Sequence, residues 1–218
     1  MPENPPKALN IAILRADALP DQLGTADAPL IVMPFINAPM ARRAAPQLAQ
    51  RAGTGGMLLC IEDVDRRGFV ATANDAFRRS AAPQFGYVAQ DAYAGRSWLV
   101  QAMAKLGEGD GGLLAFNDGK WGGALAAFGL VARDWARGNY DGDLFFPGYT
   151  SHYADVELTL VAMQQRKFRF DPLALLVEVD YGKDVRTVDA ADRLLYHKRA
   201  QTAFDRKVTS PSLRRMFG

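Results

Sequence analysis

The chain has 218 residues, of which 49% are hydrophobic and 23% are charged, and its net charge is +2. This composition is typical of a soluble globular protein, and the near balance of charge argues against nucleic acid as a main partner. No stretch reaches the roughly 18 apolar residues of a membrane-spanning helix, which argues against a transmembrane protein.

The length favours one domain over residues 1–218. We expect a flexible N-terminus at 1–8 and a helical extension at 185–218. The start of the chain lacks a charged-then-apolar leader, and Cys60 is the only cysteine and lies in an apolar run. These features predict a cytoplasmic protein in which Cys60 is a small core residue.

In the first half of the chain, short apolar runs alternate with amphipathic stretches, as in βαβ units. The sequence predicts strands at 9–14, 30–36, 56–61, 85–89 and 113–116, and helices at 41–52, 68–80 and 97–106. Trp98 stands at the start of the last of these helices, where we expect it to be buried. The pattern indicates an α/β fold.

The second half begins with an apolar run at 124–132 that fits a strand, then a short helix at 134–137 and a Gly- and aromatic-rich loop at 138–151. A helix at 155–165 precedes a strand at 168–179 that Pro172 interrupts. The longest helix is predicted at 190–207, with an apolar stripe that includes Leu194, Leu195 and Phe204. Basic residues cluster in this last segment. A solvated helix face is the common reading of such a cluster, and a peripheral contact with an anionic membrane is the alternative.

Acidic or amide residues follow the successive elements, and they are Asn37, Asp63, Asp91, Asp118 and Asp155. The carboxyl ends of parallel strands meet at one edge of the sheet, where open α/β sheets bind ligands. Amides and carboxylates can bind a nucleoside, and a metal held there can neutralise a diphosphate. Each residue alone is more commonly a turn former or a helix cap. The set together predicts a site for a nucleoside diphosphate.

Familiar catalytic signatures are absent. The chain has no Gly-x-Gly-x-x-Gly, no Gly-Lys-Ser/Thr loop and no Gly-x-Ser-x-Gly. The two histidines, His152 and His197, lack the spacing of a zinc pair. His197 reads as a surface residue. His152 lies three residues before Asp155 and either contacts substrate or holds the loop.

In this order the residues resemble those of family 2-type glycosyltransferases, which have a GT-A fold, over roughly residues 30–180. Residues 30–37 resemble the first strand and its proline turn, and residues 58–63 resemble the second strand, whose terminal acid contacts the nucleotide base. Residues 68–77 resemble the helix that carries a small-Asn-x-small segment, here Ala73 to Ala76. Residues 87–91 resemble the strand with the metal-binding acid, and residues 97–99 resemble the helix start that follows it.

Downstream, residues 128–133 resemble the acceptor-side strand, and residues 153–158 resemble the helix start that carries the catalytic Glu-Asp pair. The chain departs from the family at several positions. Gln90 and Ala92 flank Asp91 where further acids are common, and Ala154 replaces the Glu of the pair. The histidine that often follows the last core strand is missing, and Glu178 or Asp180 could stand in for it.

The resemblance implies a three-layer α/β/α sandwich with a mostly parallel sheet. It also implies an inverting transfer of sugar from a nucleotide-diphosphate donor to a glycan or lipid-linked acceptor. The implied donor and cofactor residues are Pro34, Asn37, Asp63, Asn74 and Asp91, with Mg²⁺ or Mn²⁺ on Asp91. Asp155 is the expected base, and Asp118, Trp121 and His152 are the expected acceptor contacts. We also expect the loop at 138–151 to close over substrate.

Two alternatives remain open. The missing acids at positions 92 and 154 favour a related domain that binds a nucleotide or glycan without catalysis. A nucleotidyltransferase shares the alternating elements and an acidic metal site, but it commonly has a Gly-rich basic loop after the first strand. Residues 37–43 offer Arg42 and Arg43 there without a glycine, so this alternative ranks last.

Overall fold

The computed structural model describes residues 7–179 and 189–217. Its strands are β1 (Asn10–Arg15), β2 (Leu30–Phe35), β3 (Met57–Glu62), β4 (Gln84–Tyr87), β5 (Ala92–Ala94), β6 (Leu113–Asn117), β7 (Gly129–Ala132) and β8 (Phe168–Glu178). Its α-helices are α1 (Ala38–Gln50), α2 (Phe69–Arg79), α3 (Trp98–Leu106), α4 (Arg133–Arg137), α5 (Ala154–Gln164), α6 (Ala190–Gln201), α7 (Ala203–Arg206) and α8 (Pro211–Arg214).

The strands described form one curled sheet in the order β1-β3-β2-β4-β7-β6-β8-β5. Pairing is parallel between β1 and β3, β3 and β2, β2 and β4, and β6 and β8. It is antiparallel from β4 to β7, from β7 to β6, and from β8 to β5. Strands β1, β2, β3, β4, β6 and β8 therefore all point the same way, and their carboxyl ends meet at one edge.

Side chains alternate between the two faces of the sheet, as the period of two requires. In β2, Leu30 and Val32 join the core under α2 and α5, whereas Ile31 and Met33 join the core under α1 and α3. Both faces are therefore covered by helices, which is why β2 has no polar residue and is fully buried. This arrangement confirms the predicted α/β sandwich with a mostly parallel sheet.

Most predicted elements are present, with shifted ends. The strand predicted at 85–89 ends at Tyr87, and the short β5 after Asp91 was not predicted. Of the apolar run at 124–132, only Gly129–Ala132 is a strand. Its first part is a loop that α5 holds, because Ala126 N donates to Thr159 Oγ1. Trp98 is fully buried as predicted, and its Nε1 donates to Leu48 O.

The prediction of one helix over 190–207 is wrong. Helix α6 ends at Gln201, and Phe204 and Asp205 have the left-handed φ values of 50° and 55°. The break turns Phe204 into the core. The predicted apolar stripe is also wrong in part, because Leu194 is 73% exposed. Tyr196 is fully buried in its place and stacks on Tyr153.

Pro172 interrupts β8 as predicted. Ala115 of β6 pairs with Phe170, whereas Asn117 pairs with Leu175, so extra residues bulge out of β8 between them. Asn117 Nδ2 fastens the bulge by donating to Pro172 O. A proline lacks the N–H that a regular ladder needs, which is why it lies at this irregularity.

Among the residues described, no helix is long and apolar enough to cross a membrane. The predicted flexible N-terminus lies largely outside the described residues. So do Asp180 and the first part of the predicted extension at 185–218.

Candidate active site

The candidate site lies at the edge where the carboxyl ends of the parallel strands meet. Asn37 follows β2, Asp63 follows β3, Asp118 follows β6, and Glu178 ends β8. The strand directions therefore bring the predicted strand-end residues to one edge. Asp91 reaches the same edge from the turn between β4 and β5.

On the half of the edge formed by β2 and β3, the predicted side chains are bonded to backbone. Asn37 caps α1, with its Oδ1 accepting from Met40 N at 3.2 Å. Asp63 is buried, and its two oxygens accept from Arg67 N at 2.9 Å and Gly68 N at 2.8 Å. Both side chains thus shape the loops around the edge.

Pro34 lies inside β2 and is buried, opposite Ile61 of β3. It therefore shapes the end of the strand, and its ring has little open surface. A nearby small cavity of about 110 Å³ lies among Phe35, Ala38 and Glu62, between the ends of β2 and β3 and the start of α1.

Asn74 serves the loop at 138–151. Its Nδ2 donates to Phe145 O at 3.0 Å, and its Oδ1 accepts from Phe145 N at 2.9 Å. Phe145 is itself buried in the core. The loop is therefore fixed by a pair of buried hydrogen bonds, and closure over substrate would have to break them.

The turn after β4 is tied to the end of β2. Gln90 Oε1 accepts from Ile36 N at 3.0 Å and from Asn37 N at 2.9 Å. Gln90 stands where the resemblance leads one to expect an acid, and here it holds two strand ends together. Asp91 follows it, is largely buried, and accepts at its backbone oxygen from Val179 N. Asp91 therefore lies directly beside the end of β8.

Asp155 lies at the start of α5 and is partly buried. Its Oδ1 accepts from Val156 N at 2.9 Å. Burial raises the pKa of the Asp155 carboxyl to about 7, and the negative charges of Glu178 and Asp118 act in the same direction. Three acids from α5, β6 and β8 thus lie within electrostatic reach of one another. Glu178 neighbours both Asp155 and, through the register of Ala92 with Glu178, Asp91.

Asp118 organises the turn after β6. Its Oδ1 accepts from Lys120 N at 2.9 Å and from Trp121 N at 2.8 Å. Trp121 is 37% exposed, so its ring is partly open to solvent at this edge. Its ring lies beside that of Phe217, with 6.2 Å between the centroids.

The loop that precedes Asp155 is held by Asp192, a residue that sequence reasoning missed. Asp192 is 2% exposed, and its carboxylate accepts from Thr150 N, Ser151 N and His152 N at 2.7–2.8 Å. His152 Nδ1 also accepts weakly from Asp189 N at 3.4 Å. These contacts favour a structural role for His152, beside the candidate base.

A second missed residue is Glu157, two positions after Asp155. It is fully buried, and both of its oxygens bond Arg199 of α6 at 2.6 Å. Tyr149 Oη donates to the same carboxylate at 2.9 Å. Glu157 is thus neutralised by a partner, whereas Asp155 faces other acids. An Asp or Glu pattern alone cannot separate the two, because both lie in the first turn of the same helix.

Among the residues described, no three His, Cys, Asp or Glu side chains form a metal-binding group. A cage made only of protein ligands is therefore absent from the described part of the chain. Mg²⁺ in proteins commonly takes one or two carboxylates and completes its shell with water and substrate phosphates. Asp91, as a single carboxylate at this edge, fits that smaller donor set.

Comparison with known proteins gives one informative result. No protein-family model matches the chain, and no curated protein matches it. Among solved structures it is similar to the mannosyltransferase PcManGT from Pyrobaculum calidifontis, whose structure is a complex with GDP-Man and Mn²⁺. The match has a TM-score of 0.52 and 15% identity over 79% of this chain. The chain spans 61% of the length of that structure. The similarity shows a glycosyltransferase-like fold.

Proposed function

We propose that this protein is a nucleotide-sugar-dependent glycosyltransferase of the GT-A type, acting by inversion with Asp155 as the base. The observation that carries the proposal is the environment of Asp155. The residue is half-buried, its carboxyl has a pKa of about 7, and it lies at the carboxyl edge of the sheet with Asp118, Glu178 and Asp91. The mannosyltransferase-like fold supports the choice of substrate class.

A base with a pKa near neutral suits the deprotonation of a sugar hydroxyl. A general base works best when its pKa lies near the working pH, because it is then both ionised and basic. In the proposed step, the acceptor oxygen forms a bond to the anomeric carbon while its proton passes to Asp155. The bond from that carbon to the diphosphate oxygen breaks, and the diphosphate leaves with the electron pair. This inverting step needs one base and no covalent intermediate.

The diphosphate is proposed to lie beside Asp91. Asp91 and Glu178 would hold Mg²⁺ or Mn²⁺ together with the phosphate oxygens. Such an ion supplies charge neutralisation to a leaving diphosphate. Asp91 is well placed for this because its backbone is bonded to Val179, which fixes it against the end of β8.

The nucleoside is proposed to bind at the ends of β2 and β3, near Pro34, Asn37 and Asp63. Each carboxylate oxygen has two acceptor positions, so the two backbone amides at Asp63 leave acceptor capacity for a base or ribose. Asn74 supports the site indirectly, by holding Phe145. On the acceptor side, Trp121 offers an exposed ring for stacking on a sugar, and Asp118 and His152 shape the turns beside Asp155.

The domain organisation and the cellular location are proposed from the sequence. We propose one domain over residues 1–218, working in the cytoplasm. The single cysteine is compatible with a reducing compartment, since burial raises the pKa of Cys60 to about 11 and makes it inert.

A domain that binds a nucleotide without catalysis is the second candidate. Two departures from the family favour it. Gln90 stands where an acid is common and bonds the backbone at the end of β2, and Ala154 replaces the Glu beside Asp155. The two functions differ in turnover, not in donor binding.

The test combines binding and turnover. Isothermal titration with a panel of nucleoside diphosphates, with and without Mn²⁺, identifies the donor base, and a donor-hydrolysis assay measures turnover. We expect metal-dependent binding of one nucleotide and slow hydrolysis of its sugar conjugate. Binding that ignores metal, without turnover, would instead establish the second candidate. Binding of none of the nucleotides would refute both.

Asp91→Ala supplies the control for the donor site. We expect weaker donor binding and loss of the metal effect. A variant with unchanged affinity and intact metal dependence would show that the diphosphate lies elsewhere.

A further inference from the structure

A basic cleft lies between α6 and α8. It has a volume of about 490 Å³ and is lined by His197, Ala200, Gln201, Pro211, Arg214 and Arg215. Among the described residues, no acidic side chain lines it. Arg214 Nε is buried and has no hydrogen-bond partner in the described part of the chain.

The acids near the cleft are already engaged. Asp189 caps α6, and Asp192 accepts from three backbone amides. Asp205 forms an ion pair with Arg199 at 3.0 Å. Within the ranges described, Arg193, Lys198, Arg214 and Arg215 have no ion pair. The cleft therefore carries positive charge that the described residues do not neutralise.

Exposed aliphatic side chains flank this charge. Leu194 is 73% exposed and lies three residues before His197, so it shares the α6 face that borders the cleft. Met216 is 45% exposed and follows Arg215 directly. Cationic side chains beside exposed aliphatic ones are the combination that binds a membrane interface, because the charges meet phosphates and the aliphatic groups enter the acyl boundary.

We propose that the basic cleft binds the phosphate headgroup of an anionic lipid, with Leu194 and Met216 at the membrane interface. Nucleic acid is the less suitable polyanion, because proteins bind single strands by stacking bases on several aromatic rings, and among the described residues no Phe, Tyr or Trp side chain lines the cleft. The lipid reading accounts for both the charge and the two exposed aliphatic residues.

The position of the cleft also bears on the acceptor, and this step rests on the proposed function. Phe217, three residues after Arg214, packs against Trp121 in the turn that Asp118 organises. A membrane held at the cleft would therefore lie on the acceptor side of the edge, next to Trp121. The acceptor class that fits this position is a lipid-linked one.

The test measures binding of the whole protein to vesicles, without donor or acceptor, so it is independent of the proposed activity. Flotation is compared for phosphatidylcholine vesicles and for vesicles that also contain phosphatidylglycerol. We expect binding only to the anionic vesicles, weakened by salt. Reversal of two charges in Arg214→Glu/Arg215→Glu should weaken binding by at least about 30-fold, at roughly 1 kcal/mol per charge near the surface. Leu194→Ser should weaken it less.

The matched control is Arg42→Glu/Arg43→Glu, an exposed arginine pair on α1. It should bind anionic vesicles like the unchanged protein. No binding to anionic vesicles, or equal loss in the control, would overturn the proposal. So would unchanged vesicle binding by the Arg214→Glu/Arg215→Glu variant. Tight binding of inorganic phosphate or of an oligoribonucleotide by a protein that ignores vesicles would assign the cleft to that ligand instead.

Discussion

The two halves of the carboxyl edge use their acidic and amide residues in different ways. At the ends of β2 and β3, Asn37 and Asp63 accept hydrogen bonds from nearby backbone amides. At the ends of β6 and β8, Asp118 also accepts from backbone amides, but here Asp118 and Glu178 add their negative charge to the environment of Asp155, whose pKa rises to about 7.

Asn37 and Asp63 therefore stabilise the fold, whereas the charged form of Asp155 destabilises it. Backbone amides hold Asn37 and Asp63 in place, whereas burial and the like charges of Glu178 and Asp118 disfavour the charged form of Asp155. Residues with strongly perturbed pKa values concentrate at functional sites. The half of the edge that contains Asp155 is therefore where we place the chemistry, and the half with Asp63 is where we place recognition.

Replacement of the candidate base should have the largest effect. We expect Asp155→Asn to lower turnover by about 10²–10⁴-fold, the usual contribution of a general base, with little change in donor affinity. Steady-state turnover and titration of the nucleoside diphosphate measure the two quantities separately.

Asp134→Asn provides the control, since Asp134 is an exposed acid in the first turn of α4. It should leave turnover unchanged. An Asp155→Asn protein that retains full turnover would remove Asp155 from the mechanism and with it the functional distinction between the two halves.

The next effect concerns Glu157, which lies in the same helical turn as Asp155 but is paired with Arg199. Arg199→Met leaves the Glu157 carboxylate buried without its cation, which should lower the free energy of unfolding by about 3–5 kcal/mol. Urea unfolding measures this. Arg193→Met, an exposed change on the same helix, should be nearly neutral.

Adding Glu157→Leu to Arg199→Met should recover part of the lost stability, because it removes the uncompensated charge. If the double variant were no more stable than Arg199→Met, then packing around Arg199 and not its charge would explain the loss. Glu157 has a cationic partner, whereas Asp155 has none among the described residues. That contrast would then no longer rest on electrostatics.

Asn74 tests how firmly the loop at 138–151 is fixed. Asn74→Ala removes both partners of the Phe145 backbone, and we expect a loss of about 2–6 kcal/mol of unfolding free energy, since each of the two buried groups left unpaired costs about 1–3 kcal/mol. Hydrogen exchange at the Phe145 amide should rise with it. Exposed Asn10→Ala is the control, and protection of Phe145 that survives in Asn74→Ala would contradict the role of this pair.

The local elements of the fold were predictable because they follow from local runs and spacings of apolar residues. The continuous apolar run of β2 and the burial of Trp98 at the start of α3 are examples, and the directions of the strands explain why the strand-end residues reach one edge. The break after Gln201 was not predictable, since residues 202–207 have no glycine or proline to mark it. Burial of Phe204 decides the path of the chain there, and burial depends on distant packing.

The fine structure of the site depends on partners far along the chain. Asn74 meets Phe145, 71 residues later, and Asp192 meets the amides of 150–152, some 40 residues earlier. Single-sequence patterns identify residue types that can cap or bind, but not which distant backbone they meet. For the same reason the sequence identified Asp155 as a candidate but could not show that Arg199 neutralises Glu157 and not Asp155.

The last prediction concerns stability as a function of pH, and it compares the two halves directly. The folded pKa of Asp155 is about 7, above its ordinary value of 3.8. The stability associated with its protonated form is therefore complete below pH 3.8 and is lost as the pH rises through about 7.

Asp155→Asn keeps a neutral side chain at every pH, so its stability advantage over the unchanged protein should grow across that window and level off above it, at about 1–3 kcal/mol. Asp63→Asn should instead destabilise by about 1–2 kcal/mol at neutral pH, because an amide cannot accept from both Arg67 N and Gly68 N. Urea unfolding of both variants between pH 5 and pH 8, chosen to bracket the roughly one-unit titration range on either side of the Asp155 pKa, measures the two signs. If both substitutions lowered the free energy of unfolding, or both raised it, the raised pKa of Asp155 would not distinguish the two halves of the edge.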